Sequence, residues 1–154
     1  MNIIIERLAV PPTNNHRLMP SKGRLIKTPE FRAYDQKIEL WILRNRFKVE
    51  EMRRDIERWI KEGYCLDIEM DFIFPLEKII TKKNEPKRID VDSRLKVVQD
   101  TVAKIIGIDD KWIMQITAKK ILHRSSDEHV SILIKPIRWS HMKQIREKSD
   151  GPQA

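Results

Sequence analysis

Strict alternation over Cys65–Phe74 constrains the fold of this chain more than any other feature of its sequence. Apolar residues occupy every second position of the segment, and acidic residues lie between them at Asp67, Glu69 and Asp71. Successive side chains of a β-strand point to opposite faces, so the pattern predicts a strand with one buried and one solvated face. Pro75 cannot donate to a strand ladder and ends the segment. The fold therefore includes a sheet with an apolar face that other elements must cover.

Helical spacing of apolar residues predicts the elements that cover this face. Thr28-Pro29-Glu30 is typical of a helix start, because it combines an N-cap hydroxyl, a proline at the first helical position and an acid in the first turn. The helical pattern that follows continues to about Lys61, which is long for one globular helix. We therefore predict two helices with a break near Phe47–Lys48, the second of which is closed by Gly63.

A third helix and three further strands complete the predicted fold. The helix spans Asp92–Ile106, with Gly107 at its C-terminal cap position. The strands are Asn2–Val10, Lys111–Leu122 and His129–Ile137, and the link Arg124–Asp127 predicts a hairpin between the last two. The order strand–helix–(helix)–strand–helix–strand–strand indicates an α+β domain, with helices packed on a small four-stranded sheet that is mostly antiparallel or mixed. We place this domain at residues 1–139 and a polar tail at 140–154.

The charge balance indicates a nucleic-acid partner without deciding it. Lys and Arg total 31 against 23 Asp and Glu, which gives a net charge of +8. Basic domains of this kind are expected among nucleic-acid binders. No apolar run approaches the roughly 20 residues of a membrane span, and Met1–Val10 lacks the pattern of a signal peptide. Cys65 is the one cysteine, which excludes an internal disulfide, so we expect a cytoplasmic protein that binds no membrane.

Carboxylates before and after the third helix are the candidates for chemistry. If Asp90–Asp92 is extended, both side chains point to the same side, and if Asp92 caps the helix, its carboxylate meets the positive helix end. Lys96 lies one turn further on. Asp109-Asp110 follows the closing Gly107, but nothing in the spacing requires Asp110 to return to Asp90. The alternative is structural: a cap, an exposed lysine and a turn.

Three carboxylates in one place repel one another, and a hard cation such as Mg²⁺ would relieve that repulsion. Such an ion would orient a phosphate and lower the pKa of a coordinated water. Lys96 would then stabilise the transition state or help to position the water. Residues alone leave this interpretation and the structural alternative open.

Two motifs resemble those of a known family. They are Asp90-Val91-Asp92-Ser93-Arg94-Leu95-Lys96, followed by Asp100 and Gly107-Ile108-Asp109-Asp110, and the early Pro11-Pro12-Thr13-Asn14-Asn15. In this order, from about Ile3 to Ile137, they resemble the RusA family of Holliday junction resolvases, small homodimeric endonucleases that depend on Mg²⁺, for which Mn²⁺ can substitute. The resemblance implies that Asp90, Asp92 and Asp110 bind the metal and that Lys96 is catalytic.

The resemblance also implies that five residues contact DNA: Lys87, Arg88, Asn14, Asn15 and Arg17. The structural alternative is that Asn14, Asn15 and Arg17 only shape their loop and that the basic cluster Lys78–Arg88 is a solvated loop. The chain departs from the family pattern in two places. Ser93 stands where the family usually has Asn, and Ile89 stands where an arginine often precedes the first aspartate. The segment Lys48–Gly63 and the tail after Trp139 look like additions.

Several residues have competing interpretations. Asp67, Glu69 and Asp71 form a rival acidic row, which is more often a solvated face paired across strands with lysines such as Lys119 or Lys120. Asp100 either forms ion pairs along its helix with Lys96 and Lys104, or it orients Lys96 without contacting the metal or the substrate itself. Asp109 is an alternative to Asp110 as the third ligand. The histidines show no zinc-ligand spacing with Cys65.

We therefore expect a homodimeric, Mg²⁺-dependent endonuclease that resolves four-way DNA junctions in recombination and repair. Two alternatives remain. One is a basic module that binds nucleic acid without cutting it, and the other is a metal nuclease of broader DNA specificity.

Overall fold

The computed structural model describes residues 1–13, 17–89, 91–124 and 127–138. The predicted tail lies outside the described residues, and so do Asn14, Asn15 and Asp90. The strands are β1 (Ile3–Leu8), β2 (Leu18–Ser21), β3 (Arg24–Lys27), β4 (Tyr64–Pro75), β5 (Ile113–His123) and β6 (His129–Arg138). The helices are α1 (Pro29–Arg44), α2 (Arg46–Lys61), α3 (Leu76–Ile79) and α4 (Asp92–Ile106), and a 3₁₀ turn spans Asp110–Trp112.

The four-stranded sheet has the order β1-β6-β4-β5. Strand β4 pairs antiparallel with β6 and parallel with β5, and β1 pairs antiparallel with β6. The predicted α+β class and the mixed sheet are confirmed. The alternating segment is the central strand: Ile68, Met70 and Phe72 are fully buried, as its period predicts.

The predicted hairpin between the last two strands is wrong. Strands β5 and β6 lie on opposite sides of β4 and do not pair with each other. Helix α4 connects β4 to β5, and a crossover of this length through a helix suits parallel neighbours. With one side of β4 taken by β5, β6 occupies the other. The spacing between two strands does not reveal which neighbour each will find.

A small hairpin lies where the sequence indicated only irregular chain. Strands β2 and β3 pair antiparallel around Lys22 and Gly23, whose φ angles are 47° and 76°. Positive φ at both central residues is the requirement of the type I′ turn that suits two-residue hairpins. The signal was the lysine–glycine pair between two short segments.

The helix boundaries follow local capping. The Thr28 side chain accepts a hydrogen bond from the Phe31 amide at 3.3 Å, so the predicted N-cap is confirmed. The break between α1 and α2 falls at Asn45, slightly before the predicted position, where the Asn45 side chain donates to the Trp41 carbonyl at 2.8 Å. Gly63, at φ +87°, follows the end of α2 as predicted.

Helix α4, which carries the candidate site, is fixed from two sides. Near its middle, the hydroxyls of Tyr34 and Thr101 form a buried hydrogen bond of 2.8 Å to α1, and burial raises the pKa of Tyr34 to about 12. At its end, Gly107 adopts φ +71°, and Arg53 of α2 donates to the Ile105 carbonyl at 2.9 Å. These contacts hold the middle and the end of α4 against α1 and α2.

None of the helices in the described ranges is both long and apolar enough to cross a membrane.

Candidate active site

The first turn of α4 presents Asp92 to solvent. Val91 is the N-cap residue, and its carbonyl accepts hydrogen bonds from the amides of Arg94 and Leu95 at 3.0 and 2.9 Å. The interpretation of Asp92 as the cap is therefore wrong, because the helix begins one residue earlier than a capping aspartate would require. Asp92 is the first residue of α4 and lies at the positive end of the helix. It has no ion-pair partner among the residues that the structure describes.

Lys96 lies one turn further along α4, between two carboxylates. Its Nζ is 3.0 Å from Asp100 Oδ1 and 3.4 Å from Asp110 Oδ2. The hydrogen bond to Asp100 is the main reason that the pKa of Lys96 is raised, and the contact with Asp110 adds to it. Lys96 is therefore a cation at neutral pH in this arrangement. The 3₁₀ turn brings Asp110 back beside α4 and next to Lys96, a contact that the sequence spacing did not require.

Asp109 and Asp110 have different roles in this turn. Asp109 Oδ1 accepts a hydrogen bond from the Lys111 amide at 3.0 Å and caps the turn. That backbone hydrogen bond is the main reason that the pKa of Asp109 is lowered. Asp110 instead points to Lys96. The geometry places Asp110, and not Asp109, on the side of Lys96.

Asp100 connects Lys96 to an element far away in sequence. Its other oxygen is 3.4 Å from Arg17, whose guanidinium lies 5.6 Å from the centre of the Phe31 ring. Lys104, the alternative helical partner of Asp100, contacts Glu39 at 3.8 Å. The contacts thus form a chain of alternating charge from Arg17 through Asp100 and Lys96 to Asp110. They favour the interpretation in which Asp100 orients Lys96.

A cleft of about 680 Å³ lies beside the first turn of α4. Its wall includes the range 11–13 of the early proline motif and the range 87–89 of the basic loop. Arg94 donates from Nε to the Pro11 carbonyl at 3.0 Å and so fixes the proline segment to α4. Sequence reasoning did not single out Arg94, and no local signal marks a contact between residues so far apart in the chain.

The two predicted basic contacts in this cleft differ. Lys87 donates from Nζ to the Glu77 carbonyl at 2.6 Å and closes its own loop. Arg88 is exposed, and no such contact holds it among the described residues. Arg88 is therefore better placed than Lys87 to meet a phosphate.

The rival acidic row on β4 is a paired face. Lys135 of β6 lies 2.6 Å from Glu69 and 3.6 Å from Asp67. The hydrogen bond from Lys135 is the main reason that the pKa of Glu69 is lowered, and Lys119 contributes less. The predicted charge pairing is confirmed for Glu69 and Asp67, but its partner is Lys135 of β6 and not a lysine of β5. The predicted solvation is wrong at Asp67, which is buried.

Among the described residues, no three Asp, Glu, His or Cys side chains are grouped so as to hold a metal ion. Asp90 lies outside those residues, so the set of Asp90, Asp92 and Asp110 stays a prediction. The donors that are described suit Mg²⁺, because carboxylate oxygens are the ligands it prefers.

Comparison with known protein families completes this description. The sequence model described as Endodeoxyribonuclease RusA matches residues 9–135. The chain belongs to the RusA endodeoxyribonuclease family. It is accordingly a nuclease of a family that cleaves DNA, and the match includes the proline motif and every residue predicted for the active site.

Other comparisons add little. No curated protein matches the chain. Among solved structures, the chain is similar to 2C-methyl-D-erythritol 2,4-cyclodiphosphate synthase from Plasmodium vivax, with 11% identity over 89% of this chain and 94% of that chain. The TM-score of 0.34 is too low for this likeness to carry an argument.

Proposed function

We propose that this RusA-family nuclease is a Mg²⁺-dependent endonuclease that resolves four-way DNA junctions in recombination and repair. The observation that carries the proposal is the position of Lys96, which is held between Asp100 and Asp110 one turn from the exposed Asp92. A family of endodeoxyribonucleases matches the segment that contains them.

Asp90, Asp92 and Asp110 are the proposed ligands of Mg²⁺, with Mn²⁺ as a substitute. Asp92 supports this assignment by its exposure and its lack of an ion pair in the described part of the chain. When bound, the ion supplies Lewis-acid chemistry toward the scissile phosphate. The site takes Asp110 rather than Asp109 because Asp109 is occupied as a cap.

Lys96 stabilises negative charge that develops on the phosphate. An ammonium group has three donors, and the contacts with Asp100 and Asp110 use two of them. The third is available for a phosphate oxygen. A fixed cation in place before the reaction lowers the barrier without reorganisation. Asp100 is a positioning residue, since it acts on the direction of the Lys96 side chain.

The cleft beside α4 receives the DNA strand. Arg88 and Arg17, together with Lys87, Asn14 and Asn15, are the proposed contacts to the backbone. A homodimer would present two such sites about a two-fold axis, which fits the symmetry of a four-way junction and gives paired cuts. A cytoplasmic location is part of the same proposal.

The test is cleavage of a synthetic four-way junction with Mg²⁺. Asp92→Asn and Asp110→Asn should bind the junction and fail to cut it, because amide oxygens are weaker ligands than carboxylates. Asp109→Asn is the matched control and should cut normally, since asparagine also caps helical turns. Full cleavage by Asp92→Asn contradicts the proposal. Cleavage of flap and linear duplex at the same rate as junctions favours the nuclease of broader specificity, and no cleavage by the wild type favours the binding module.

A further inference from the structure

A second cavity, of about 330 Å³, lies between the end of β1, the face of α1 and the start of β6. Its rim carries the cations Arg7, Lys37 and Arg44. Its floor is apolar and includes Leu8 and the half-buried Trp41. A cationic rim around an apolar floor suits a ligand with anionic groups on an apolar frame, such as the phosphates and sugars of a DNA strand.

The cations of this rim have no ion pairs with any residue that the structure describes. Lys37 and Arg44 are seven positions apart and therefore lie on the same face of α1, two turns from each other. The acid in the wall, Glu128, is 2.6 Å from Lys78, so its charge is already balanced. Three positive charges thus converge on one cavity, and none of them has an ion pair within the described residues.

Arg7 has an unusual backbone conformation. Its φ is +56°, in the left-handed region that favours glycine, and the register of β1 shifts between Ile5 and Leu8. A bulge of this kind redirects a side chain, and backbone strain at a residue other than glycine is concentrated at functional positions. Here the redirected side chain lines the cavity.

The second cavity continues the first. The range 7–9 lines the second cavity, and the next residues, 10–13, line the cleft beside α4. Glu128 lines both. A strand that passes the proposed cleavage site therefore meets the rim of Arg7, Lys37 and Arg44 when it is followed along the same surface.

We infer that this rim is a second DNA-contact surface, which binds the phosphates of a duplex arm that leaves the active-site cleft. The inference rests on the proposed function and extends it to a residue set remote from the carboxylates. Phosphate contacts of this kind fix the orientation of a duplex and add salt-dependent affinity without reading sequence.

The first test compares two double variants that remove the same charge. Lys37→Gln with Arg44→Gln alters the rim, and Lys48→Gln with Arg54→Gln alters exposed, unpaired cations of α2. Binding of a fluorescent four-way junction is measured by anisotropy in EDTA, so that no cleavage occurs. The rim variant should bind about tenfold more weakly, and the slope of log affinity against log salt should become shallower by about two.

The α2 variant should stay within about twofold of the wild type, because changes away from phosphate contacts act only through the general field. Equal binding by the two double variants overturns the inference. Cleavage of the junction by the wild type in Mg²⁺ is scored separately. If the wild type binds but cuts no junction, the proposed function fails, while the rim is still judged by the comparison of variants.

The second test uses the conformation of Arg7. Arg7→Gly relieves the left-handed backbone and removes the cation, so it should keep or raise the Tm while binding falls about threefold or more. Arg7→Lys keeps the charge and should retain most of the affinity. A purely structural Arg7 would make binding follow Tm in both variants, and unchanged binding in Arg7→Gly contradicts the inference.

Discussion

Two regions of this molecule place a lysine between carboxylates. They differ in whether an exposed carboxylate without an ion pair lies nearby. On the sheet, Lys135 contacts Glu69 and Asp67 at 2.6 and 3.6 Å, and Asp67 is only 9% exposed. At the start of α4, Lys96 contacts Asp100 and Asp110, but Asp92 one turn away stays exposed. In the first cluster, both contacted carboxylates share one cation within the fold. The second keeps a carboxylate that can meet a cation from solution.

The difference shows that the number of acids in a sequence pattern is a poor guide to which carboxylates stay exposed without an ion pair among the described residues. Three acids spaced along one strand are an equally good pattern in the sequence, but the neighbouring strand β6 supplies a lysine to two of them. Asp92 lies instead at the positive end of a helix. Whether the carboxylates are already balanced decides which cluster remains available.

The largest expected effect is the contrast between Lys96→Met and Lys135→Met. Lys96→Met should lower junction cleavage by about 10²–10³-fold, as expected for loss of a charge that stabilises the transition state. Because Lys96 is exposed, the Tm of the Lys96→Met variant should change little. Lys135→Met should lower the Tm, because it leaves the nearly buried Asp67 without its cation. Folded Lys135→Met protein should still cleave the junction. If both variants lose cleavage and keep the wild-type Tm, Lys96 and Lys135 do not differ in the way proposed.

A smaller effect separates Asp100 from its neighbours on α4. Asp100→Asn should lower kcat by about 10–100-fold, the range seen when a supporting residue of a site is lost. KM should change less than kcat, because the variant misdirects Lys96, while Arg17, the other partner of Asp100, keeps its charge. Lys104→Gln is the control, since Lys104 contacts Glu39 and lies outside the network. A rise in KM alone would make Asp100 a binding residue instead.

Gly107→Ala tests how the end of α4, the helix that carries Asp92 and Lys96, contributes to stability. The left-handed conformation costs an L-residue roughly 1–2 kcal/mol, and a Cβ at this position would lie 3.2 Å from Arg53 Nε. Gly63→Ala is a matched control, because its φ of +87° carries similar strain with nothing within 4 Å. Urea unfolding should show a larger loss of stability for Gly107→Ala. Equal losses would mean that the contact between Arg53 and the end of α4 contributes nothing.

The smallest expected effect is a pH dependence of the sheet cluster. The hydrogen bond from Lys135 holds the pKa of Glu69 below its ordinary value of 4.5. The ion pair therefore stabilises the fold above pH 4.5, and this contribution is lost as the pH falls through the lowered pKa. Glu69→Gln should flatten this acid limb in measurements of Tm against pH. If the loss of Tm at acid pH is unchanged in Glu69→Gln, that loss is due to other carboxylates.

The local elements of this fold could be predicted because their causes are local. The period of β4, the Thr28 cap and the glycines at 63 and 107 each depend on residues within one or two turns. The type I′ turn at Lys22-Gly23 was equally local and was missed because its flanking segments are short. The predicted bounds of α4, Asp92–Ile106, are confirmed, and only the cap differs, because Val91 and not Asp92 is the N-cap residue.

The sequence by itself determined the family. The aspartate and lysine motifs resemble those of RusA nucleases, the family model matches residues 9–135, and the roles of the individual site residues stay a prediction. Tertiary structure alone decided that β5 and β6 flank β4, that Asp110 meets Lys96, and that Arg17 joins them through Asp100. These contacts join residues far apart in the chain. Spacing along the sequence cannot encode them, because they depend on how the whole core packs.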